Sequence, residues 1–148
     1  MKRLIVALMA TCVALGLMLA NFNAQAANKA FADKKVVLQI SDPNPFKQTL
    51  VLNVANNLIK HYGPDQVEVE IVAFGPGLRL LFAENASKGR IKSLVSNGVR
   101  FSACKNTIKA MSKKLGHEPE LSAHAVKVDA GVVRIVDLVK KGYILVKP

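Results

Sequence analysis

The residue with the clearest chemical potential is Cys104, which stands where a strand pattern changes into a helical one. Phe101 and Ala103 alternate before it, and a helical pattern begins directly after it. A helix start carries unpaired N–H groups and a partial positive charge, which favour a thiolate over a thiol. Because the thiolate is the nucleophile in sulfur exchange, Cys104 is the candidate catalytic residue. An inert, packed cysteine is the alternative that position alone leaves open.

The residues that follow Cys104 could bind a negatively charged substrate. Lys105 adds a cation, and Asn106 or Thr107 can cap the next helix. Backbone N–H groups at this helix start would steady negative charge on sulfur. We therefore expect Lys105, Asn106 and Thr107 to contact the substrate.

A second candidate segment is Gly75-Pro76-Gly77, which interrupts an apolar run. Glycines there would let the backbone approach a ligand, so Gly75 and Gly77 could form the opposite wall of the site. The segment could equally be a plain turn. It matches neither the dinucleotide-binding nor the phosphate-loop pattern of glycines.

Metal and hydrolase chemistry fit the sequence less well. Cys104, His117 and His124 form the one plausible ligand set, and their spacing matches no familiar zinc pattern. A cysteine hydrolase would need a base beside Cys104, and neither histidine has an evident acidic partner. We therefore expect no metal and no cofactor.

The first 26 residues have the pattern of a secretory signal peptide. Lys2 and Arg3 precede residues 4–20, in which 15 of 17 residues are apolar, and Ala24-Gln25-Ala26 follows. We predict cleavage after Ala26, a single domain at 27–148 and a periplasmic location. An uncleaved anchor is the main alternative, because the run is close to the ~20 residues that span a bilayer.

Cleavage would leave a basic chain of 122 residues with one cysteine. The lost segment holds two of the 21 basic residues and none of the 10 acidic ones, so the net charge becomes +9. Nucleic acid is a common partner of such a charge, but export argues against it. We expect small anions or acidic proteins as partners, and no stable membrane insertion after cleavage. An unpaired cysteine in an oxidising compartment is either buried or kept for its reactivity.

Apolar periodicity predicts strands that alternate with helices along the whole domain. The predicted strands lie near 34–40, 66–73, 99–103, 124–128 and 143–146. The predicted helices lie near 46–62, 78–83, 88–96, 106–115 and 131–141. Alternation of this kind favours a mainly parallel sheet with helices on both faces. Ligands of such sheets bind beyond the carboxyl ends of the strands, where the loops 41–45, 74–77 and 103–107 should meet.

Three segments in this order resemble the DsrE/DsrF-like (YchN-like) sulfur-relay family, and in particular its exported, stand-alone branch. They are Val72-Ala73-Phe74-Gly75-Pro76-Gly77-Leu78, Phe101-Ser102-Ala103-Cys104-Lys105-Asn106-Thr107 and Lys141-Gly142-Tyr143-Ile144-Leu145-Val146-Lys147-Pro148. Ser41-Asp42-Pro43 and Ala130-Gly131-Val132 also fit, so the resemblance covers nearly all of residues 34–148.

The resemblance implies a three-layer α/β/α fold with a five-stranded parallel sheet, assembled into homotrimers or homohexamers. In the better-known cytoplasmic members, one cysteine carries sulfur as a persulfide, and its counterpart here is Cys104. A small sulfur species or a sulfur-carrying protein would then be the partner. This chain departs from those members by its signal peptide.

Two functions therefore compete on the sequence. The first is an exported sulfur carrier that holds sulfane sulfur as a persulfide on Cys104, with possible sulfur-transfer activity. The second is a non-catalytic, homo-oligomeric module that binds a small anion and in which Cys104 is merely packed.

Overall fold

Strands and helices alternate throughout Lys29 and residues 32–148, the part of the chain that the computed structural model describes. The strands are β1 (Lys34–Ile40), β2 (Val67–Ala73), β3 (Arg100–Cys104), β4 (Ala125–Val128) and β5 (Ile144–Val146). The α-helices are α1 (Pro45–Tyr62), α2 (Lys88–Ser96), α3 (Lys105–Leu115) and α4 (Gly131–Lys140), and a 3-10 helix spans Gly75–Leu81. The predicted signal peptide lies outside the described residues. Within them, no helix is both long enough and apolar enough to cross a bilayer.

The five strands form one sheet in the order β4-β3-β2-β1-β5, and every neighbouring pair is parallel. The chain runs from β1 to β4 in one direction across the sheet. It then returns through α4 to β5 at the other edge. This reversal places α4 on the face opposite to α1, α2 and α3, since parallel crossovers keep one hand. The structure thus confirms the predicted three-layer α/β/α fold and shows that the sheet is entirely parallel.

The two faces of the sheet are packed differently. Val36, Leu38 and Ile40 of β1 join a large apolar core with α1, α2 and α3. The intervening Val37 faces α4, in a small cluster that includes Ile135 of that helix. Strand side chains alternate between faces, so α4 covers only a short apolar area and must be held by other contacts as well.

Those contacts centre on Glu70 of the central strand β2, whose side chain is fully buried. Arg134 of α4 donates to both carboxylate oxygens, at 2.7 and 2.8 Å. Ser102 and Arg100 of β3 donate at 2.7 and 3.1 Å. Burial alone would raise the pKa of Glu70, but the hydrogen bonds from Arg134 and Ser102 outweigh it and lower that pKa. Glu70 is therefore a paired carboxylate that ties α4 to the sheet.

Glu68 extends the same network towards β5. It is 3% exposed and accepts hydrogen bonds from the Arg100 guanidinium and the Tyr143 hydroxyl. Arg100 also donates to the Tyr143 oxygen. Burial and the hydrogen bond to Glu68 raise the pKa of Tyr143 to about 12, against the opposing charge of Arg100. The protonated hydroxyl is thus part of the folded structure.

The raised pKa of Tyr143 predicts a loss of stability at alkaline pH. The hydroxyl contributes fully below the ordinary tyrosine pKa of 10.0, and its contribution disappears as the pH rises to about 12. Denaturant unfolding should show the wild type losing more free energy of unfolding over this range than Tyr143→Phe. At neutral pH the variant should be less stable by ~1–3 kcal/mol, because Glu68 loses a donor.

Tyr62→Phe, at the exposed end of α1, is the matched control and should follow the wild type at every pH. Identical alkaline profiles for the wild type and Tyr143→Phe would contradict the proposed role of the hydroxyl.

Candidate functional site

Cys104 is the last residue of β3 and occupies the N-cap position of α3. The prediction that Asn106 or Thr107 caps this helix is wrong, because α3 already begins at Lys105 and both residues lie in its first turn. The helix begins two residues earlier than a cap at Asn106 would place it. As a result, the cysteine itself stands at the helix start, where the N–H groups converge.

Four donors surround the Cys104 sulfur. They are the backbone N–H groups of Asn106 and Thr107 in α3, the Thr107 hydroxyl, and the N–H of Gly131 at the start of α4. The side chain makes no regular capping hydrogen bond to α3. Burial alone would raise the pKa of Cys104, but these donors outweigh it and hold the pKa below its usual value.

Cys104 is 5% exposed, so its side chain is nearly buried at the carboxyl end of the sheet. Cys104 is the free cysteine of the described residues. Its donors belong to two helix starts that are far apart in the chain and meet at one atom. Helix starts carry partial positive charge, so both favour an anionic sulfur. The site can therefore hold a thiolate that is largely shielded from water.

Thr107 is oriented by Gly75, one of the glycines predicted for the opposite wall. The Gly75 N–H donates to the Thr107 hydroxyl oxygen at 2.9 Å. This contact occupies the oxygen as an acceptor and leaves the hydroxyl hydrogen available for the sulfur. Gly75 thus acts on Cys104 through Thr107.

Gly77 has a packing role. A Cβ added there would lie 2.5 Å from the carbonyl oxygen of Ile40, so only glycine lets the 3-10 helix pack against the end of β1. A depression of about 180 Å³ lies on that side of the loop, with Lys47 and Lys147 among its lining residues. The loops at 41–45, 74–77 and 103–107 do meet, as predicted, because Gly75 and Gly77 approach Ser41 and Gly75 also contacts Thr107.

Lys105 lies beside the sulfur in sequence, but its ammonium is directed to Asp129. The Nζ–Oδ1 distance is 2.8 Å, and both side chains are exposed. Lys105 lowers the pKa of Asp129 by this hydrogen bond and its charge. An exposed pair of this kind contributes little to stability. It links the start of α3 to the loop before α4, and direct action of Lys105 on the thiolate stays a prediction.

The histidines lie at the surface. His117 is exposed, with its Nδ1 atom 3.1 Å from the carbonyl oxygen of Glu118, and His124 is exposed as well. Among the described residues, no three His, Cys, Asp or Glu side chains are grouped as a metal site requires.

The donor that sequence reasoning did not assign is Gly131. Its segment contributes to the family resemblance, but nothing in its local pattern connects it with Cys104. The structure brings it there through the pairing of β4 with β3, which sets Val128 opposite Cys104, three residues before Gly131. One signal could have identified Gly131 as a donor: it is a glycine at the first position of a helix, directly after the loop that follows a parallel strand.

No family model and no curated protein matches the chain. A solved structure shares its fold. This is MTH1491 from Methanobacterium thermoautotrophicum, a protein of unknown function, with 28% sequence identity and a TM-score of 0.71. The alignment covers 78% of this chain and 100% of that one.

BT1422 from Bacteroides thetaiotaomicron, a conserved protein of unknown function, is a looser likeness. It has 15% identity and a TM-score of 0.47, over 85% of this chain and 100% of that one. Of these two proteins, MTH1491 supports the fold, and neither likeness extends to an activity.

Because four donors stabilise the Cys104 thiolate, we expect the loss of one donor to raise the pKa of the thiol. Thr107→Val removes the hydroxyl and keeps the shape of the side chain, so the thiol pKa should rise. Alkylation at neutral pH should then slow by about tenfold, which corresponds to ~1.4 kcal/mol, close to the lower value for a hydrogen bond to a charged group. The measurement is the pH dependence of the alkylation rate by iodoacetamide.

Thr49→Val makes the same change at an exposed position of α1 and should leave the profile unaltered. If Thr107→Val and the wild type have the same pH midpoint, the hydroxyl does not stabilise the thiolate.

Proposed function

We propose that this protein is an exported sulfur carrier of the DsrE/DsrF-like family, in which Cys104 holds sulfane sulfur as a persulfide. The observation that carries the proposal is the meeting of two helix starts at the Cys104 sulfur, which lowers the pKa of the thiol despite its burial. Two of the three segments that resemble the family also supply the site, because Gly75 and Thr107 interact there.

The reaction needs a thiolate and a donor that contains sulfane sulfur. The Cys104 thiolate attacks the outer sulfur of a persulfide or polysulfide, and a new S–S bond forms as the donor S–S bond breaks. The donor leaves as a thiolate or a shorter polysulfide and takes up a proton from water. Transfer to an acceptor thiolate is the reverse exchange, so neither step requires an external oxidant. Cys104 is a good leaving group in that second step because its thiolate is stabilised.

In this proposal the residues around Cys104 bind the negative charge. The N–H groups of Asn106, Thr107 and Gly131 and the Thr107 hydroxyl stabilise the thiolate, while Gly75 orients Thr107. Lys105 adds positive charge at the entrance, and Gly77 fixes the loop that forms the far side of the site. The partner is a small sulfur species or a sulfur-carrying protein, encountered in the periplasm.

One observation favours the alternative of a small-anion-binding module. Cys104 is only 5% exposed, and converging helix N–H groups also suit a small anion. In that case the sulfur would resist both alkylation and sulfur loading until the protein unfolds. The two functions therefore differ in a single chemical property, the reactivity of the folded thiol.

Sulfur loading distinguishes the sulfur carrier from the anion-binding module. The reduced, purified protein is incubated with polysulfide, and its intact mass is measured. A sulfur carrier should gain about 32 Da, the mass of one sulfur atom, and should lose it on treatment with dithiothreitol. Cys104→Ser should gain nothing. If the wild type gains no reducible adduct, or the adduct persists in Cys104→Ser, the sulfur-carrier function is excluded.

We also propose that the protein is a homo-oligomer, a trimer or hexamer as the resemblance implies. Four valines of α4 face outwards and are each 45–60% exposed: Val132, Val133, Val136 and Val139. The three residues of the edge strand β5 are also exposed, with Ile144 at 64%. Several exposed apolar side chains on one helix and on an edge strand are typical of a protein interface.

A charge placed on this valine surface should separate the subunits. Val136→Lys should sediment as a monomer while the wild type sediments as a larger species, because a buried ammonium in an apolar interface is strongly unfavourable. Leu115→Lys, at an equally exposed apolar position at the end of α3, should keep the wild-type assembly. A wild type that sediments only as a monomer would contradict the proposal.

A further inference from the structure

The two helix starts that meet at Cys104 are positioned in different ways. Helix α3 follows Cys104 directly in the chain, so its first N–H groups lie near the sulfur by covalent connection. Helix α4 comes from a distant part of the chain, after β4. The pairing of Val128 with Cys104 brings the loop before α4 near the sulfur, and tertiary contacts of α4 then fix the place of Gly131, its first residue.

One such contact is the ion pair between Arg134 and Glu70. Arg134 lies three residues after Gly131, and its guanidinium holds both oxygens of a carboxylate that is fully buried on the central strand. A two-point contact fixes the direction of the helix as well as its distance, which a lysine ammonium would not do. Because Ser102 and Arg100 hold the same carboxylate, the anchor is itself rigid.

The second contact is the close approach of Gly131 to Phe74 at the end of β2. A Cβ on Gly131 would lie 2.9 Å from the Phe74 Cβ and 3.0 Å from its Cδ1. The first of these distances is shorter than side chains tolerate, so α4 would have to move away from the sheet. Gly131 does not have a positive φ angle, and space rather than backbone conformation therefore requires glycine here.

We infer that Arg134 and Gly131 are positioning residues for Cys104: the Arg134–Glu70 pair and the Phe74–Gly131 contact hold the start of α4 against the sulfur. The inference rests on the proposed function for its use in catalysis. The same N–H group that stabilises the attacking thiolate also receives it when Cys104 leaves during transfer of sulfur to an acceptor. Arg134 touches neither the sulfur nor a substrate, and it acts through the helix.

Two substitutions test this inference, and each leaves Cys104 and its α3 donors unchanged. Gly131→Ala forces the start of α4 away from Phe74. Arg134→Lys keeps the positive charge and loses the two-point contact. In both variants, alkylation of Cys104 at neutral pH should slow by about two- to thirtyfold, the range for losing one favourable interaction between a helix start and an anion. The pH midpoint of the alkylation profile should rise accordingly.

Gly89→Ala is the matched control, because the site of its added Cβ, near the start of α2, is open space. It should retain the wild-type profile. Circular dichroism and thermal melting show which variants are folded, and if Gly131→Ala is not, Arg134→Lys decides. Unchanged midpoints in the folded variants would overturn the inference.

The readout is ionisation of the thiol and needs no sulfur donor. A protein that shows the shifted midpoints but gains no sulfur would retain the positioning roles and lose the sulfur-carrier function. If the wild type takes up sulfur but the variants have unchanged midpoints, the sulfur-carrier function would be retained and the positioning roles of Gly131 and Arg134 would be excluded.

Discussion

A carboxylate buried on the central strand of a sheet is strongly unfavourable unless it is paired, and the pairing of Glu70 sets much of this structure. Its partners come from β3 and α4, so the charge compensation also brings together elements that are distant in the chain. Replacing such a network with apolar residues can preserve or even increase stability, which means that stability alone does not account for it. Here it fixes a helix whose apolar contact with the sheet is small. The position of that helix in turn completes the surroundings of Cys104.

Much of the fold could be predicted from local pattern. A nearly continuous apolar run identified β1, and a run that alternates at first and then becomes apolar identified β2. Turn residues such as Gly63 and Gly116 marked where helices end. The end of β3 was harder to predict from the sequence, because Cys104 can belong to either a strand or a helix cap. Asn106 and Thr107 have the side chains that usually cap helices, yet the backbone turns earlier. Boundaries of this kind depend on the neighbouring strand, since Cys104 pairs with Val128 of β4.

Only the part of the candidate site that is adjacent to Cys104 in the sequence was predicted. Lys105, Asn106 and Thr107 follow Cys104 directly, whereas the approach of Gly131 depends on the pairing of β4 with β3 and on the packing of α4. The alternating glutamates of β2 held a further signal. Because both faces of a central parallel strand are covered, Glu68 and Glu70 require cationic partners, and identifying Arg100 and Arg134 as those partners requires the topology. The shared fold with MTH1491 supports this topology.

The proposed chemistry depends on one property of the folded protein, the ionisation of the nearly buried Cys104 thiol. Burial raises the pKa of Cys104 and the converging N–H groups lower it, and a reactive thiolate requires that the N–H groups have the larger effect. The direct measurement is a pH titration of the Cys104 side chain by carbon NMR of its Cβ atom in the reduced wild-type protein. The account predicts a midpoint below the ~8.5 of an unperturbed cysteine. A midpoint at or above that value would contradict it.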